Sequence, residues 1–309
     1  MKNTNMKFTL LIISIICVAL VVSPICNAGL NKKGITNRVG LPRISNNQEA
    51  LGTEYWALLF AVGVYKNNPD QDRPSMLEAV DNLYDVLVDS PQWQPDHIHV
   101  VKGSQATGKN LIRELIWLIQ SEDSDDMSLI YLTTHGSPLR NKNGYPVDLP
   151  PKDESDGADE ILVMYEGFDK WYAIIWDDLL NFFLSLLQSK GVCLIVDSCY
   201  SGGFNDNPFK GAISENYTAE SFTQGFVEDV AAQSRVVLMS CRENEVSYGS
   251  YFSELLIDGF LGWGDAFGNG DGINSAEESF EYAQFWLDLL GEQHPTMMDL
   301  YSGEFPVTS

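Results

Sequence analysis

The 309-residue chain contains 44% hydrophobic residues and carries a formal net charge of −24. The apolar fraction is enough for a packed core, which excludes a disordered chain. All 43 acidic residues but only 13 of the 19 basic residues lie in 44–309, so this part repels nucleic acid and anionic membranes.

The first 28 residues have the pattern of a secretory signal peptide. Lys2 and Lys7 precede an apolar run over 8–22, and small residues end the segment at Ala28. The pattern predicts a secreted or extracytoplasmic protein without membrane contact after signal removal. An uncleaved anchor is the alternative, although a membrane span needs about 20 apolar residues.

Residues 29–53 form a second segment, which is polar and basic and has little periodicity. This composition predicts a linker or a pro-segment. The domain then covers 54–309, in which strand and helix patterns alternate. Apolar runs predict strands at 57–64, 98–101, 129–134, 161–165, 171–175, 194–197 and 235–241, with 161–165 and 171–175 as a hairpin. Helical spacing predicts helices at 76–88, 107–120, 179–187, 251–263 and 275–290, with Thr107 as an N-cap. The alternation predicts an α/β fold with a mostly parallel sheet and helices on both faces.

Two of the predicted strands end in residues suited to nucleophilic catalysis. One runs out into His135 and Gly136, and the other into Asp197, Ser198 and Cys199. Because the carboxyl ends of parallel strands meet at one edge, His135 and Cys199 are expected to lie together. An imidazole activates a thiol as a thiolate, and the Gly136 and Cys199 amides could hold an oxyanion. The alternative is a structural thiol and a turn histidine, but two such motifs together favour the catalytic pair.

Three cysteines remain after signal removal, which is too few for a disulfide framework. Cys193 lies within an apolar strand pattern and Cys241 ends another. Both are therefore predicted to be core residues.

These motifs resemble those of caspase-like cysteine peptidases, the group of caspases, metacaspases, legumains and gingipains. The stretch Asp197-Ser198-Cys199 follows the metacaspase pattern, and 156–160 is similar to the metacaspase stretch Asp-Gly-x-Asp-Glu. The resemblance implies a three-layer α/β/α sandwich and an endopeptidase that forms a thioester acyl-enzyme on polypeptide substrates. It implies Cys199 as nucleophile, His135 as its partner, Gly136 as oxyanion donor, and no cofactor for the chemistry.

The resemblance leaves specificity open. Asp197 matches the position that helps metacaspases to hold Arg or Lys at the cleaved residue, which implies cutting after a basic residue. A strand-end aspartate bonded to backbone is the other interpretation. The sequence before His135, Thr133-Thr134, looks closer to legumain-like enzymes, so an Asn-specific peptidase is an alternative.

Calcium has two candidate sites. The resemblance implies ligands at Asp177, Asp178 and Asp206, although the first two could simply cap a helix. The other site is an EF-hand-like loop with Asn269, Asp271 and Glu278 as ligands, or else a turn into a helix. A non-catalytic exported calcium-binding module is therefore the alternative from another functional class.

Overall fold

The computed structural model describes residues 52–309 except 142, 153, 155–156, 168–169, 171, 201–224, 228, 241–250 and 292–293, and of Cys199 and Tyr200 it describes the backbone. The expected export segment, nearly all of the linker, Asp206 and Cys241 lie outside this part of the chain. Among the described residues, no helix has the length and the apolar composition that a membrane span requires.

Ten strands and six α-helices have both ends among the described residues, and residues 225–227 and 229–230 are helical as well. The strands are β1 (Tyr55–Ala61), β2 (Ile98–Lys102), β3 (Met127–Pro138), β4 (Glu160–Val163), β5 (Ile174–Trp176), β6 (Gly191–Tyr200), β7 (Arg235–Met239), β8 (Asn274–Ser275), β9 (Thr296–Asp299) and β10 (Pro306–Thr308). The α-helices are α1 (Ser75–Asp89), α2 (Gly108–Ser121), α3 (Asp177–Leu184), α4 (Tyr251–Asp258), α5 (Gly264–Phe267) and α6 (Ala276–Leu290). A π-helical turn, Gly259–Trp263, joins α4 to α5.

The main sheet has the strand order β2-β1-β3-β6-β7-β9. The first five of these strands run parallel, and β9 runs antiparallel to β7. Strand β4 pairs antiparallel with the outer end of β3 and with β5, which confirms the expected hairpin. Strands β8 and β10 form a separate pair.

Buried residues on alternate positions of the strands pack against helices on the two faces of the sheet. On one face, α1, α4 and α6 cover a core that contains Leu59, Tyr131, Ile195 and Leu238. Helix α2 packs against β1 on the other face. Parallel strands buried on both sides read as continuous apolar runs, which is why the sequence predicted them well. The mostly parallel α/β sandwich is thus confirmed.

Side-chain caps fix the starts of two helices. Thr107 Oγ1 accepts a hydrogen bond from the Asn110 amide, as predicted, and Ser275 Oγ accepts one from the Glu278 amide. Strand β9 was not predicted, because its short sequence is half-exposed at the sheet edge and shows no apolar run.

The central strand β1 allows a direct test of the core. Replacement Leu59→Ala removes a fully buried side chain and is expected to lower the free energy of unfolding by about 2–5 kcal/mol. Leu289→Ala, at a side chain that is 67% exposed, is expected to change it by less than about 0.5 kcal/mol. Urea denaturation of both variants measures the difference, and equal effects would contradict the described core.

Candidate active site

The register between β3 and β6 brings the two strand-end motifs together. In this parallel pair, Thr133 lies opposite Asp197, His135 opposite Cys199 and Gly136 opposite Tyr200. Residues in register on neighbouring strands share a face of the sheet. His135 and Cys199 are therefore neighbours at the carboxyl-terminal edge of the sheet.

His135 is positioned by its place in β3 and also by a hydrogen bond of its imidazole ring. The side chain is buried, and Nε2 lies 2.9 Å from the backbone oxygen of Gln71. A carbonyl oxygen only accepts hydrogen bonds, so Nε2 carries the proton and donates. Burial lowers the pKa of His135 to about 4, so the ring is neutral at pH 7. In this tautomer Nδ1 is the basic nitrogen, which is the form that can take a proton from a thiol.

The oxygen of Gln71 belongs to a short 3₁₀ turn, Pro69–Gln71, that follows β1. Two hydrogen bonds join the residues that follow this turn to the chain that precedes it. Asp72 Oδ1 accepts a 2.7 Å bond from the amide of Tyr65, and the amide of Arg73 donates to the oxygen of Gly63. The hydrogen-bond acceptor for His135 therefore comes from a fixed backbone segment.

Tyr65 contacts both the backbone and the ring of His135. Its hydroxyl accepts a 3.0 Å hydrogen bond from the His135 amide and lies 2.9 Å from Thr134 Oγ1, while the two rings pack with centroids 5.1 Å apart. Thr134 Oγ1 in turn donates to the oxygen of Val163, so Tyr65 donates its own proton to Thr134. Burial raises the pKa of Tyr65, which keeps this proton in place. The network fixes the strand end at His135.

Gly136, the expected oxyanion donor, lies in the same strand between two partners. It is in register with Leu162 of β4 on one side and with Tyr200 of β6 on the other. Its position next to His135 and diagonally across from Cys199 is compatible with that role.

Asp197 lies on the same sheet face as Cys199, two residues earlier. Its side chain is buried, and Oδ1 accepts a 2.7 Å hydrogen bond from Ser240 Oγ, while Oδ2 accepts one from Ser253 Oγ. Ser253 also lies 2.6 Å from the hydroxyl of Tyr131. Burial raises the pKa of Asp197, and the two hydroxyl groups oppose that shift. The described partners of this aspartate are thus side-chain hydroxyls, which the sequence did not indicate.

The acidic pair at the start of α3 is part of a larger group of carboxylates. Asp177 is fully buried, and its two oxygens accept hydrogen bonds from the amides of Glu160 (2.8 Å) and Asp178 (2.9 Å). Burial raises the pKa of Asp177 to about 7. Two groups of carboxylates each have ligand oxygens within 4.8 Å of one another: Glu154, Glu160, Asp177 and Asp229 in one, and Asp159, Asp177 and Asp178 in the other. Hard oxygen ligands gathered in this way fit a calcium ion.

The second expected calcium site has a different arrangement. Glu278 Oε1 accepts a 2.8 Å hydrogen bond from the Asn269 amide, Asn269 Oδ1 accepts one from the Asp271 amide, and Asp271 Oδ1 accepts one from the Ile273 amide. In the described part of the chain, neither Asp271 nor Glu278 belongs to a group of three or more His, Cys, Asp or Glu side chains with ligand atoms within 4.8 Å of one another. The side-chain oxygens of Asn269, Asp271 and Glu278 thus accept hydrogen bonds from backbone amides of the turn that leads into α6.

Sequence reasoning missed several residues around the site. Tyr65, Gln71, Ser240 and Ser253 come from other elements and reach the strand ends only through the fold. Tyr65 and Ser240 carried a signal, because each follows a buried parallel strand at the same edge of the sheet.

Comparisons with known proteins found sequence similarity to metacaspases over part of the chain. A family model described as metacaspase, peptidase C14 domain, matches residues 71–208. Metacaspase-1 of Ajellomyces capsulatus is 28% identical over 137 residues, which cover 43% of this chain and 36% of that protein. Metacaspase-1A of Neurospora crassa is 30% identical over 137 residues, with coverage of 42% and 28%. Metacaspase-4 of Arabidopsis thaliana is 29% identical over 147 residues, with coverage of 46% and 32%.

The matched region spans about a third of the length of these curated relatives. Among solved structures, protein GSU0716 from Geobacter sulfurreducens has the same fold, with a TM-score of 0.53 at 14% identity, over 83% of this chain and 100% of that one. Residues 71–208, which include both strand-end motifs, thus match the peptidase domain of metacaspases, a group of caspase-like cysteine peptidases.

Proposed function

We propose that the chain is a secreted cysteine endopeptidase that cuts after Arg or Lys and uses a dyad of His135 and Cys199. The register of His135 with Cys199 across β3 and β6 is the observation that carries this proposal. The family match supports peptidase chemistry, and the signal-peptide pattern of 1–28 supports substrates outside the cytoplasm.

The neutral tautomer of His135 suits the first step. The Cys199 thiol gives its proton to Nδ1, and the thiolate attacks the scissile carbonyl carbon. Burial disfavours the imidazolium that forms, but the hydrogen bond from Nε2 to Gln71 and the adjacent thiolate favour it.

The remaining steps use the same groups. The amide of Gly136 donates to the developing oxyanion, and Nδ1 of His135 returns its proton to the leaving amine, which leaves a thioester on Cys199. Water then attacks the thioester with His135 as general base. The acid is released and the thiol is restored.

Asp197 supports specificity for a basic residue. An ionised carboxylate offers about four acceptor sites, and the hydroxyls of Ser240 and Ser253 use two of them. The other sites can accept from a guanidinium or an ammonium group, and such charge-assisted bonds are strong in a buried position. An asparagine side chain carries no charge and gains less from this carboxylate.

A panel of fluorogenic peptides with Arg, Lys, Asn or Asp before the cleaved bond tests this function. We expect cleavage after Arg and Lys, loss of activity to background in Cys199→Ala and His135→Ala, and a fall of about 100-fold in kcat/KM in Asp197→Asn. Cys193→Ala, at a core thiol on the same strand, is the matched control and is expected to stay active.

Two results would contradict the proposal. Preferred cleavage after Asn would support the legumain-like alternative. A folded protein that cleaves none of the four peptides would support a non-catalytic module.

We further propose that Ca²⁺ binds at the carboxylates around Asp177, with Asp178, Asp159 and Asp206 as further candidate ligands. Support comes from the burial of Asp159 and Asp177 and from the proximity of the carboxylate oxygens of Asp159, Asp177 and Asp178. Asp206 lies outside the described residues and is a candidate through the family resemblance alone. A divalent cation would neutralise carboxylates that otherwise repel each other in a buried place. The loop with Asn269, Asp271 and Glu278 is the competing site.

Thermal unfolding of the wild-type protein and of two variants, each with and without Ca²⁺, tests which of the two sites binds the cation. At a hundredfold excess over Kd, Ca²⁺ is expected to raise the Tm of the wild-type protein by about 5 °C, because it binds only the folded state. Asp177→Asn is expected to abolish the rise, and Asp271→Asn to keep it. The reverse pattern would assign calcium to the loop, and no rise in the wild-type protein would contradict both sites.

Tyr65→Phe tests the support of His135. The change leaves the buried amide of His135 and the hydroxyl of Thr134 without the Tyr65 hydroxyl, which is expected to lower stability by about 1–3 kcal/mol. We also expect kcat to fall about tenfold with little change in KM, because the imidazole loses its position rather than a substrate contact. Steady-state kinetics measure both, with Tyr145→Phe at a 67% exposed tyrosine as the control. An unchanged kcat in Tyr65→Phe would contradict this role.

A further inference from the structure

Helix α6 has two apolar faces, and only one of them packs into the core. Phe280, Ala283 and Leu287 are buried against the sheet. A second stripe follows at positions 282, 285, 286 and 289, which is the i, i+3, i+4, i+7 spacing of one helix face. This second stripe faces solvent. A surface helix needs one apolar stripe for its own domain, so the other is available to a partner.

The exposed stripe continues into α5 as one aromatic surface, which we define by Phe267, Tyr282, Phe285, Trp286 and Leu289. The exposed fractions are 47% for Phe267, 48% for Phe285, 38% for Trp286 and 67% for Leu289. Ring centroids of Phe267 and Phe285, and of Phe285 and Trp286, lie 5.4 Å apart. Tyr282 lies 6.0 Å from Phe267 and 6.3 Å from Trp286. The side chains are therefore contiguous, unlike scattered surface residues.

The surroundings of the aromatic surface are strongly acidic. Residues 251–309 contain eleven Asp and Glu residues and no Lys or Arg. Glu281 and Asp288 are exposed and lie four residues before and three residues after Phe285, so both are its neighbours along one edge of the stripe. Within 251–309, His294 is the side chain that can become positively charged, and its Nδ1 lies 3.0 Å from Asp288 Oδ1.

We propose that the aromatic surface binds a cationic polypeptide segment of a partner protein, in which Lys or Arg residues accompany apolar ones. Apolar side chains of the segment would cover the stripe, and its cations would pair with Glu281 and Asp288 and stack on the aromatic rings. A second copy of this chain fits less well, because a twofold contact would place the same carboxylates against each other. An anionic membrane is repelled for the same reason.

Fluorescence anisotropy with the full chain tests the proposal. The probe is a labelled amphipathic peptide of Leu and Lys, about five helical turns long, and a peptide with Glu in place of Lys is its control. We expect saturable binding of the Leu/Lys peptide that weakens with salt, and no binding of the Leu/Glu peptide.

Variants of the aromatic surface, each with a matched control elsewhere on the protein, test whether the peptide binds at this surface. Phe285→Ser with Leu289→Ser is expected to weaken binding about tenfold or more, and so is Glu281→Lys with Asp288→Lys. Tyr145→Ser removes an exposed aromatic ring elsewhere, and Asp85→Lys with Asp89→Lys makes the same change of charge on α1. Both controls are expected to bind as the wild-type protein does.

Four outcomes would overturn the proposal. They are no binding of the Leu/Lys peptide, equal binding of the Leu/Glu peptide, equal losses in the control variants, and unchanged binding in both surface variants. Self-association or binding to phosphatidylcholine vesicles that is lost in Phe285→Ser with Leu289→Ser would assign the surface to another occupant and equally overturn it.

Discussion

The parallel pairing of β3 with β6 is the constraint on which the rest of the site depends. The side-chain period of a strand is two residues, so a slip of one residue would move His135 or Cys199 to the opposite face of the sheet. Apolar side chains on both faces of these strands prevent the slip, because either face would then present the wrong residues to its helices. The packing of the core thus sets the relative position of two polar residues at the strand ends.

The environment of His135 follows from what surrounds that edge. A buried imidazole is neutral, and a neutral imidazole needs one donor and one acceptor direction. The oxygen of Gln71 selects the tautomer, and the hydroxyl of Tyr65 fixes the backbone from the other side. Both come from the segment after β1, the strand next to β3, so two adjacent strands together hold this histidine. The same edge holds Asp197, whose described contacts are the hydroxyl groups that donate hydrogen bonds to its two carboxyl oxygens.

The fold could be predicted from the sequence to a large extent, because buried parallel strands and amphipathic helices leave clear apolar patterns. Strand β9 left none, since its residues are half-exposed. That His135 and Cys199 are neighbours could be predicted, because each follows such a pattern directly. Gln71 could not, because it acts through its backbone oxygen, which no side-chain pattern reveals. The carboxylates around Asp177 are only partly visible in sequence for a related reason: the chain separates Glu160 and Asp229 from Asp177, and the fold brings them together.

Covalent trapping tests the central claim, that the β3–β6 register makes Cys199 a nucleophile activated by His135. The wild-type protein and His135→Ala would be treated with a peptidyl arginine chloromethyl ketone, and the modified residue would be located by peptide mass spectrometry. Burial raises the pKa of Cys193 and keeps that thiol inert, so the account predicts rapid modification confined to Cys199 in the wild-type protein and slow modification in His135→Ala. Equal rates in the two proteins, or a wild-type protein in which Cys199 stays unmodified, would contradict it.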